Sequence, residues 1–365
     1  MGWRRYHQAD TSREMLSFRP VTARLAARIR SPHPMDWSGF EREQVHPSSI
    51  IHHYRSVALD DEYERIGGTL PYTDIVTEVR IAHGGLTEHP PTYSYNLGPA
   101  LIADGSVYYR GGFGVMKSGV ARPLARGRAE RLAAAQLCTS SLTEEFFGHW
   151  LLDTPALAVL GEQRGLTPVV VRTTPTSSHR RGYTAMMGMP VIESRLATAD
   201  QLWFVDDRPT NAGRAARLRE VRRRVRRSAS AGRRRRVIMD RKLGGVRRNL
   251  ENSGALWDLL VRDHGFEVVD PLLTDQATLV GILADAELVL GVEGSALCHA
   301  VVASPETAMI FAIMPPTRFC TAVKWYTDMV GMKFGFAVAS GTGSDFTLDP
   351  NRLRRVMDRV DAALA

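Results

Sequence analysis

The sequence predicts an α/β protein made of two halves that face a cleft, with a doubly wound parallel sheet in the C-terminal half. Two patterns lead to this fold class: a regular alternation of strand-like and helix-like segments after residue 236, and a shorter alternation at the end of the first half. The chain has 365 residues, of which 44% are hydrophobic and 24% charged. These proportions favour a globular protein of about two domains and exclude disordered, collagen-like and disulfide-scaffold proteins.

The first half divides into an extension and a domain. Residues 1–70 have weak periodicity, so we leave them as a poorly defined N-terminal extension without assigned chemistry. Residues 71–212 form a predicted α/β domain. Its elements, in order, are short antiparallel strands at 74–82 and 99–109, a helix at 142–160, and buried strands at 169–171 and 202–205.

The second half repeats one strand–helix unit. Its predicted strands are 237–239, 266–269, 288–291 and 309–313, and the helices between them are 250–263, 275–284 and 295–303. Helices of this length between apolar strands build parallel βαβ units, so we expect one domain over residues 237–349. An amphipathic pattern over 350–365 predicts a C-terminal helix. Ligands of such sheets bind outside the carboxyl ends of the strands.

The positive charge of the chain lies in one stretch between the halves. The formal net charge is +8, yet residues 214–248 hold 15 Arg and one Lys against two acids, which leaves an acidic remainder of −6. We interpret residues 213–236 as a solvated basic helix and linker. The alternative is a surface for a polyanion, a phosphorylated ligand or an anionic membrane. Nucleic acid is not expected, because the run has almost no aromatic residues and no recognisable binding module.

The cysteines and the apolar runs indicate a location. Cys138, Cys298 and Cys320 are too widely spaced for a CxxC metal site, and an odd number does not suit a disulfide framework. We therefore expect a reducing compartment. The acidic pairs Asp60-Asp61 and Asp206-Asp207 do not form a metal-ligand pattern by themselves, and we expect no metal and no cofactor. No apolar run has the length of a signal peptide or reaches the ~18 residues of a membrane span. These observations favour the cytoplasm.

A glycine-containing turn separates a predicted strand from a predicted helix near residue 294. Gly294 permits a tight turn, and the N–H groups of the helix start, together with the Ser295 hydroxyl, suit an anion such as a phosphate. Glu293 and His299 belong to the same stretch. An ordinary βα turn explains the pattern equally well.

The segment after the first strand of the same half is rich in arginine. Arg241, Arg247 and Arg248 would lie at the carboxyl end of that strand, where guanidinium groups suit bidentate contacts to a diphosphate. Asn249 or Asn252 is suited to cap the next helix, and Glu251 would fall in its first turn, where an acid is favoured. A contact from Glu251 to a sugar or ribose hydroxyl is the alternative.

His149 and Asp153 form a third candidate pair in the first half. Four residues separate them, so on a helix they share one face, and the carboxylate can orient the imidazole as a general base. A packed or capping histidine next to Trp150 is the alternative interpretation.

Together these motifs resemble glycosyltransferase family 61 over residues 90 to 340. The residues that carry the resemblance are Gly-His-Trp-Leu-Leu-Asp at 148–153, Arg241, Arg-Arg-Asn-Leu-Glu at 247–251, Gly-Phe-Glu-Val-Val-Asp at 265–270, Asp-Gln at 275–276 and Leu-Gly-Val-Glu-Gly-Ser-Ala-Leu at 290–297. Better-known members have His-Gly-Ala near the glycine turn, where this chain has Glu293-Gly294-Ser295. That departure concerns the choice of sugar and nucleotide more than the fold.

The resemblance implies a GT-B architecture of two Rossmann-like domains and an inverting transfer from a nucleotide-sugar donor. The acceptor would be a glycan or a lipid-linked glycan, as in surface polysaccharide synthesis by a bacterial-type member, with peripheral membrane association left open. The resemblance implies these roles: His149 as base, with Asp153 as its orienter or, alternatively, as the base itself; Arg241, Arg247 and Arg248 on the diphosphate; Gly294 and Ser295 on the phosphate or sugar; Asn249, Glu251, Glu293 and His299 in donor recognition. A noncatalytic nucleotide- or polyanion-binding protein is the alternative.

Overall fold

The computed structural model describes residues 13–30, 39–110, 112–117, 119, 122–172, 176–228, 232, 234–241 and 247–365. The start of the predicted extension, residues 1–12, lies outside these ranges. So does the 242–246 part of the predicted arginine-rich segment.

The N-terminal half is built on a mixed sheet. Its strands, with those of a separate hairpin (β3 and β4), are β1 (Arg13–Ser17), β2 (Glu41–His46), β3 (Ser49–His53), β4 (Gly85–His89), β5 (Thr92–Asn96), β6 (Ala100–Ala103), β7 (Ser106–Tyr109), β8 (Gly112–Val115), β9 (Ala125–Leu137), β10 (Thr167–Val171), β11 (Ile192–Ser194) and β12 (Leu196–Asp206). Parallel pairing gives the order β11-β10-β9-β12, and β5 and β6 pair antiparallel with β12. Since the chain leaves β9 towards β10 and returns to β12 on its other side, the strand order reverses between β9 and β12.

Helices cover this sheet and connect it to the second half. They are α1 (Arg19–Arg30), α2 (Ile75–His83), α3 (Ser141–Glu145), α4 (Phe147–Gln163), α5 (Ser178–Met187) and α6 (Ala212–Val225). α4 is apolar on all sides and buried along most of its length, as expected of a helix packed between other elements. The predicted strands at 169–171 and 202–205 and the helical pattern at 142–160 are confirmed.

The C-terminal half contains the predicted parallel sheet. Its strands are β13 (Arg235–Met239), β14 (Asn249–Leu250), β15 (Phe266–Val269), β16 (Ala286–Val292), β17 (Met309–Met314), β18 (Lys333–Val338), β19 (Ser340–Thr342) and β20 (Asp345–Thr347); its helices are α7 (Ser253–His264), α8 (Gln276–Leu283), α9 (Cys298–Ala303), α10 (Ala322–Val330) and α11 (Pro350–Leu364). The main sheet has the all-parallel order β15-β13-β16-β17-β18. Its strand order reverses between β13 and β16.

Alternation along the strands places a core on each face of this sheet. Val237 and Met239 of β13 pack with residues of α4, α8 and α9, whereas Ile238 between them packs with residues of α7 and α11. Helices therefore cover both faces, which confirms the doubly wound arrangement. The mixed α/β class with parallel sheets is also confirmed.

Part of the predicted N-terminal extension packs on the C-terminal half. The backbone of Val57 pairs with edge strand β18, donating to Phe334 O at 2.9 Å and accepting from Phe336 N at 3.0 Å. The buried carboxylate of Glu62 accepts from Val338 N at 2.6 Å and from Arg352 Nε at 2.7 Å. Residues near 57–62 thus cover the edge of a sheet that lies almost three hundred residues further along the chain.

The strand predicted at 74–82 is wrong, because this segment is helix α2. Asp74 stands at its N-cap, and its carboxylate accepts from Thr77 N at 2.8 Å. Glu78, Ile81 and Ala82 are buried together at helical spacing. A short apolar run fits both periods, so the capping residue was the informative signal.

The basic run after residue 212 forms a helix as predicted, but the prediction of a solvated helix is wrong. α6 lies between α4 on one side and α9 and α10 on the other. Its arginines at 214, 217, 222 and 224, called the α6 arginines below, are buried. Two of them contact the C-terminal half. Arg222 donates to Val301 O and, at 2.8 Å, to Ser304 O at the end of α9. Arg214 Nη2 lies 3.4 Å from Tyr326 Oη.

No helix within the described ranges is both long and apolar enough to cross a membrane.

Candidate active site

A cavity of about 820 Å³ lies at the carboxyl ends of β9 and β12. Leu137 and Thr139 line it after β9, and Phe204 and Asp206 line it at the end of β12. This is the position where the strand order of the first sheet reverses, and a crevice that can take a ligand forms at such a point. Trp325, from α10 of the second half, closes the opposite wall, so the cavity belongs to both halves.

The predicted pair His149 and Asp153 lines this cavity. His149 Nδ1 lies 3.0 Å from Asp153 Oδ2, and both residues stand on one face of α4. The second oxygen, Oδ1, accepts from Arg214 Nη2 at 2.6 Å and from Tyr326 Oη at 2.7 Å. Each oxygen of the Asp153 carboxylate is therefore held, and the His149 side chain keeps 27% of its surface exposed.

These contacts determine which imidazole nitrogen of His149 carries the proton. Burial alone would raise the pKa of Asp153, but Arg214 and the hydrogen bonds from His149 and Tyr326 outweigh burial and hold that pKa below its usual value. An ionised carboxylate can only accept, so His149 Nδ1 carries a proton that it donates to Asp153. The neutral ring then has its lone pair on Nε2. An imidazole with a free Nε2 lone pair, oriented by a carboxylate, has the arrangement that a general base requires.

A second site lies where the strand order reverses between β13 and β16. Arg241 follows the carboxyl end of β13, and Glu293 and Gly294 follow β16. Gly294 has φ +146°, and a Cβ there would overlap Nη1 of Arg248 and lie 3.3 Å from Nη1 of Arg241. Only glycine suits both the backbone and the space, because two guanidinium groups lie against the turn.

Among the described residues, three guanidinium groups and the carboxylate of Glu293 lie near this turn. Glu293 is buried; its carboxylate lies 3.0 Å from Arg248 Nη1 and 3.6 Å from Arg318 Nε, and its backbone oxygen accepts from Arg248. Burial lowers the pKa of Arg241, and the guanidinium groups of Arg248 and Arg318 lower it further, against the opposing effect of Glu293. The pKa of Arg248 is lowered by burial and by Arg318 in the same way. We call Arg241, Arg248 and Arg318, with Glu293, the Gly294 cluster.

A close approach joins the two sites. A Cβ at Gly148 would lie 2.7 Å from Cys298 Sγ and 3.1 Å from Ser295 Oγ. The start of α4, which carries His149, therefore rests directly on the turn that follows Gly294. The glycine of the first motif and the serine of the second are in contact although they are far apart in sequence.

The other predicted donor residues lie elsewhere. Arg247 Nη2 and Asn249 Nδ2 both bind Asp345 Oδ1, at 2.7 and 2.9 Å, and the side chain of Arg247 is 71% exposed. Glu251 is exposed, and its backbone N–H donates to Phe346 O at 2.9 Å. The predicted helix start at residue 250 is strand β14 instead, so Asn249 caps nothing and Glu251 precedes the helix. The structure does not bring these three side chains to Gly294.

His299 lies inside the protein. Its Nδ1 is 2.8 Å from Tyr183 Oη, and its ring packs on Phe147 and His179. Burial, with a smaller contribution from His179, lowers its pKa to about 3, so the ring stays neutral. His299 joins α9 to the first half below the Ser295 turn.

Sequence reasoning missed three residues of the two sites. Tyr326 and Arg214 hold Asp153, and Arg318 belongs to the Gly294 cluster. Arg214 stood in the basic run that we interpreted as solvated. Neither Tyr326 nor Arg318 lies in a local motif, and only the order of the strands brings their segments to the sites.

The described residues contain no group of three or more His, Cys, Asp or Glu side chains placed to hold a metal ion.

Comparison with known proteins identifies the family. Residues 147–310 match the family model described as Glycosyltransferase 61. No curated protein matches the chain. Among solved structures, the flavodiiron protein from Giardia intestinalis is similar at 10% identity and a TM-score of 0.24, over 65% of this chain and 59% of that one. So low a TM-score says nothing about fold or function.

The family match includes residues of both sites. It begins at Phe147, the first residue of α4, and ends within β17. It therefore includes His149 and Asp153 at the cavity and Arg241, Arg248 and Glu293 of the Gly294 cluster. From this match, residues 147–310 form a glycosyltransferase family 61 domain, and the chain is a glycosyltransferase.

Proposed function

We propose that this enzyme is an inverting transferase of GT-B type that moves a hexose or pentose from a nucleoside diphosphate sugar to a hydroxyl group of a glycan or lipid-linked acceptor. The C-terminal half binds the donor at the Gly294 cluster, and the N-terminal half, on the acceptor side, supplies the base. The two parallel sheets, each with a crevice at the point of strand reversal, support this assignment.

The contact between Gly148 and the Ser295 turn carries the proposal. It puts the start of the helix that carries His149 against the Ser295 turn, and a reaction between a donor on one half and an acceptor on the other requires the two halves to meet in this way. If His149 and Gly294 lay on unrelated surfaces, each would have an ordinary structural explanation. Their adjacency favours a shared reaction site.

The chemistry is a single in-line displacement at the anomeric carbon. His149 Nε2 takes the proton of the acceptor hydroxyl while the oxygen of that hydroxyl forms a bond to the anomeric carbon. The bond from that carbon to the phosphate oxygen breaks, and the nucleoside diphosphate leaves with the electron pair. Arg241, Arg248 and Arg318 stabilise the negative charge that develops on the leaving group. Asp153 stabilises the imidazolium that forms on His149.

We place the reaction in the cytoplasm, in the synthesis of a surface polysaccharide, with peripheral membrane contact if the acceptor is lipid-linked. The free and buried state of Cys138, Cys298 and Cys320 supports a reducing compartment. The alternative of a polyanion-binding surface on the basic run has little support, because the α6 arginines are buried. We propose no nucleic-acid partner.

A thermal-shift screen with nucleoside diphosphates and their sugars tests the donor site. A ligand at 100 times its dissociation constant is expected to stabilise the protein by about 2.7 kcal/mol. Failure of every uridine, guanosine, cytidine and thymidine diphosphate to stabilise the protein would contradict the donor site.

The base is tested with His149→Ala, using turnover of the donor found in that screen. We expect kcat to fall by about 10²–10⁴-fold while the thermal shift by nucleoside diphosphate stays unchanged. His52→Ala, at an exposed histidine of β3, is the control and should turn over normally. Normal turnover by His149→Ala would show that the base assignment is wrong.

A further inference from the structure

A chain of buried polar side chains runs from α10 to the wall of the cavity, and the mechanism above does not use it. Lys324 Nζ lies 2.6 Å from Asp328 Oδ2, which lies 2.9 Å from His53 Nδ1. His53 Nε2 lies 2.9 Å from His89 Nε2, and His89 Nδ1 lies 3.0 Å from Thr210 Oγ1. All five residues are at least nine-tenths buried, and His89 and Thr210 line the cavity.

The ionic end of the chain sets the direction of every hydrogen bond. A carboxylate paired with Lys324 can only accept hydrogen bonds, so His53 Nδ1–H donates to Asp328, and a His53 ring with one proton then has its lone pair on Nε2. His89 must then donate from Nε2, which leaves its Nδ1 to accept from the Thr210 hydroxyl. With its proton turned inward, Thr210 offers only oxygen lone pairs to a molecule in the cavity.

The same chain holds an aromatic ring at the cavity wall. Trp325 lies between Lys324 and Tyr326 on α10, is half-buried, and lines the cavity. The rings of His53 and His89 pack edge-on against it, with centroids 5.0 and 5.6 Å away. Because the next residue, Tyr326, binds Asp153, the position of the Trp325 ring is coupled to the catalytic carboxylate.

We propose that Trp325 is the platform on which the acceptor sugar stacks and that Thr210 accepts a hydrogen bond from a hydroxyl group of that sugar. This inference rests on the proposed function and names the acceptor class as a sugar ring at this position. A sugar presents C–H groups on its face and hydroxyl groups at its edge, which match an aromatic face beside a fixed acceptor oxygen. His53, His89, Asp328 and Lys324 are positioning residues.

Fluorine NMR of the full chain labelled with 5-fluorotryptophan tests the platform, and Trp325→Phe assigns the resonance of Trp325. The probes are the methyl glycosides of glucose, galactose, mannose and xylose, with 1-hexanol as an apolar probe. We expect at least one glycoside, but not hexanol, to shift the Trp325 resonance to saturation. A shift with hexanol alone would overturn the proposal. So would the absence of any shift with all four glycosides and hexanol.

Two variants test the positioning chain, with His52→Gln on the exposed face of the same strand as the control for His53→Gln. His53→Gln and Thr210→Val are each expected to weaken glycoside binding about tenfold, while nucleoside diphosphate affinity stays unchanged. If His53→Gln does not fold, the glycoside affinity of Thr210→Val tests the positioning role. Unchanged glycoside affinity in the folded variants would overturn the positioning role. If the unmodified protein does not bind nucleotide, the proposed donor site is wrong. The glycoside titration tests the acceptor platform independently of that result.

Discussion

Three of the α6 arginines, Arg214, Arg217 and Arg224, and the half-buried arginines of the Gly294 cluster differ in how their charge is balanced. The fourth α6 arginine, Arg222, donates to backbone oxygens, and burial lowers its pKa to about 10. Arg217 binds both oxygens of Asp207, at 2.5 and 3.1 Å, and Arg224 binds both oxygens of Glu162, at 2.8 and 3.1 Å. At the Gly294 turn, the carboxylate of Glu293 lies instead between Arg248 and Arg318.

The directions of the pKa shifts express the same difference. Burial would lower the pKa of Arg214, but Asp153 and Asp207 outweigh it and raise that pKa. At Arg241 and Arg248, burial and the neighbouring guanidinium groups prevail, and the pKa is lowered. Matched charges of the first kind hold α6 against the rest of the N-terminal half, whereas three guanidinium groups around one carboxylate favour the arrival of an anion. A run of arginine in a sequence does not distinguish these cases, because the distinction lies in the partners.

The largest effect is expected on the free energy of unfolding, at the buried ion pair between Arg217 and Asp207. Arg217→Met leaves the buried carboxylate of Asp207 without its closest partner, so we expect the free energy of unfolding to fall by about 3–5 kcal/mol. Urea denaturation at pH 7 measures this difference. Arg219→Met, on the exposed face of the same helix, should change it by less than about 0.5 kcal/mol. Equal losses in the two variants would mean that α6 is not held by its buried ion pairs.

Arg248→Met should have the opposite profile. It removes a charged donor from the proposed diphosphate site, so affinity for nucleoside diphosphate should fall by about 1.5–3 kcal/mol, or roughly 10- to 150-fold. Because burial opposes the charge of Arg248, its removal should cost less stability than Arg217→Met does. Isothermal titration calorimetry measures the affinity.

Arg247→Met is the matched control for that experiment. The two residues are adjacent in sequence and were predicted to share one role, yet Arg247 is exposed and bound to Asp345. Its replacement should leave nucleotide affinity within a factor of about two, as for a surface ion pair. A larger loss would return Arg247 to the diphosphate site.

The regular part of the fold could be read from the sequence, and the irregular part could not. Strand β15 has the predicted bounds, and helix α11 begins where predicted and ends one residue earlier, because apolar strands and an amphipathic face are local signals. Helix α2 was misread, since nine residues are too few to separate two periods. The pairing of Val57 with β18 joins distant parts of the chain, and no local pattern encodes such a contact.

The candidate site divides in the same way. The sequence indicated His149 and Asp153 from their spacing, and Arg241, Arg248 and Gly294 from their place after strands. It could not separate Arg248 from Arg247, because which way neighbouring side chains point depends on the pairing of β14 with β20. Arg318 was not found, since its loop reaches Gly294 only through the neighbouring positions of β16 and β17.

The smallest expected effect is a dependence of stability on pH, which arises from the ion pair between Asp153 and Arg214. The folded-state pKa of Asp153 lies below the value of about 3.9 for an unfolded chain, so its ion pair with Arg214 contributes stability that is complete above that value. The contribution is lost as the pH falls through the lower, folded-state pKa. Urea denaturation of the unmodified protein and of Arg214→Met should therefore differ by a constant amount from pH 7 to 5 and by less below pH 4. Arg219→Met should show no such convergence, and a difference for Arg214→Met that persists to pH 3 would mean that Arg214 acts through packing and not through the charge of Asp153.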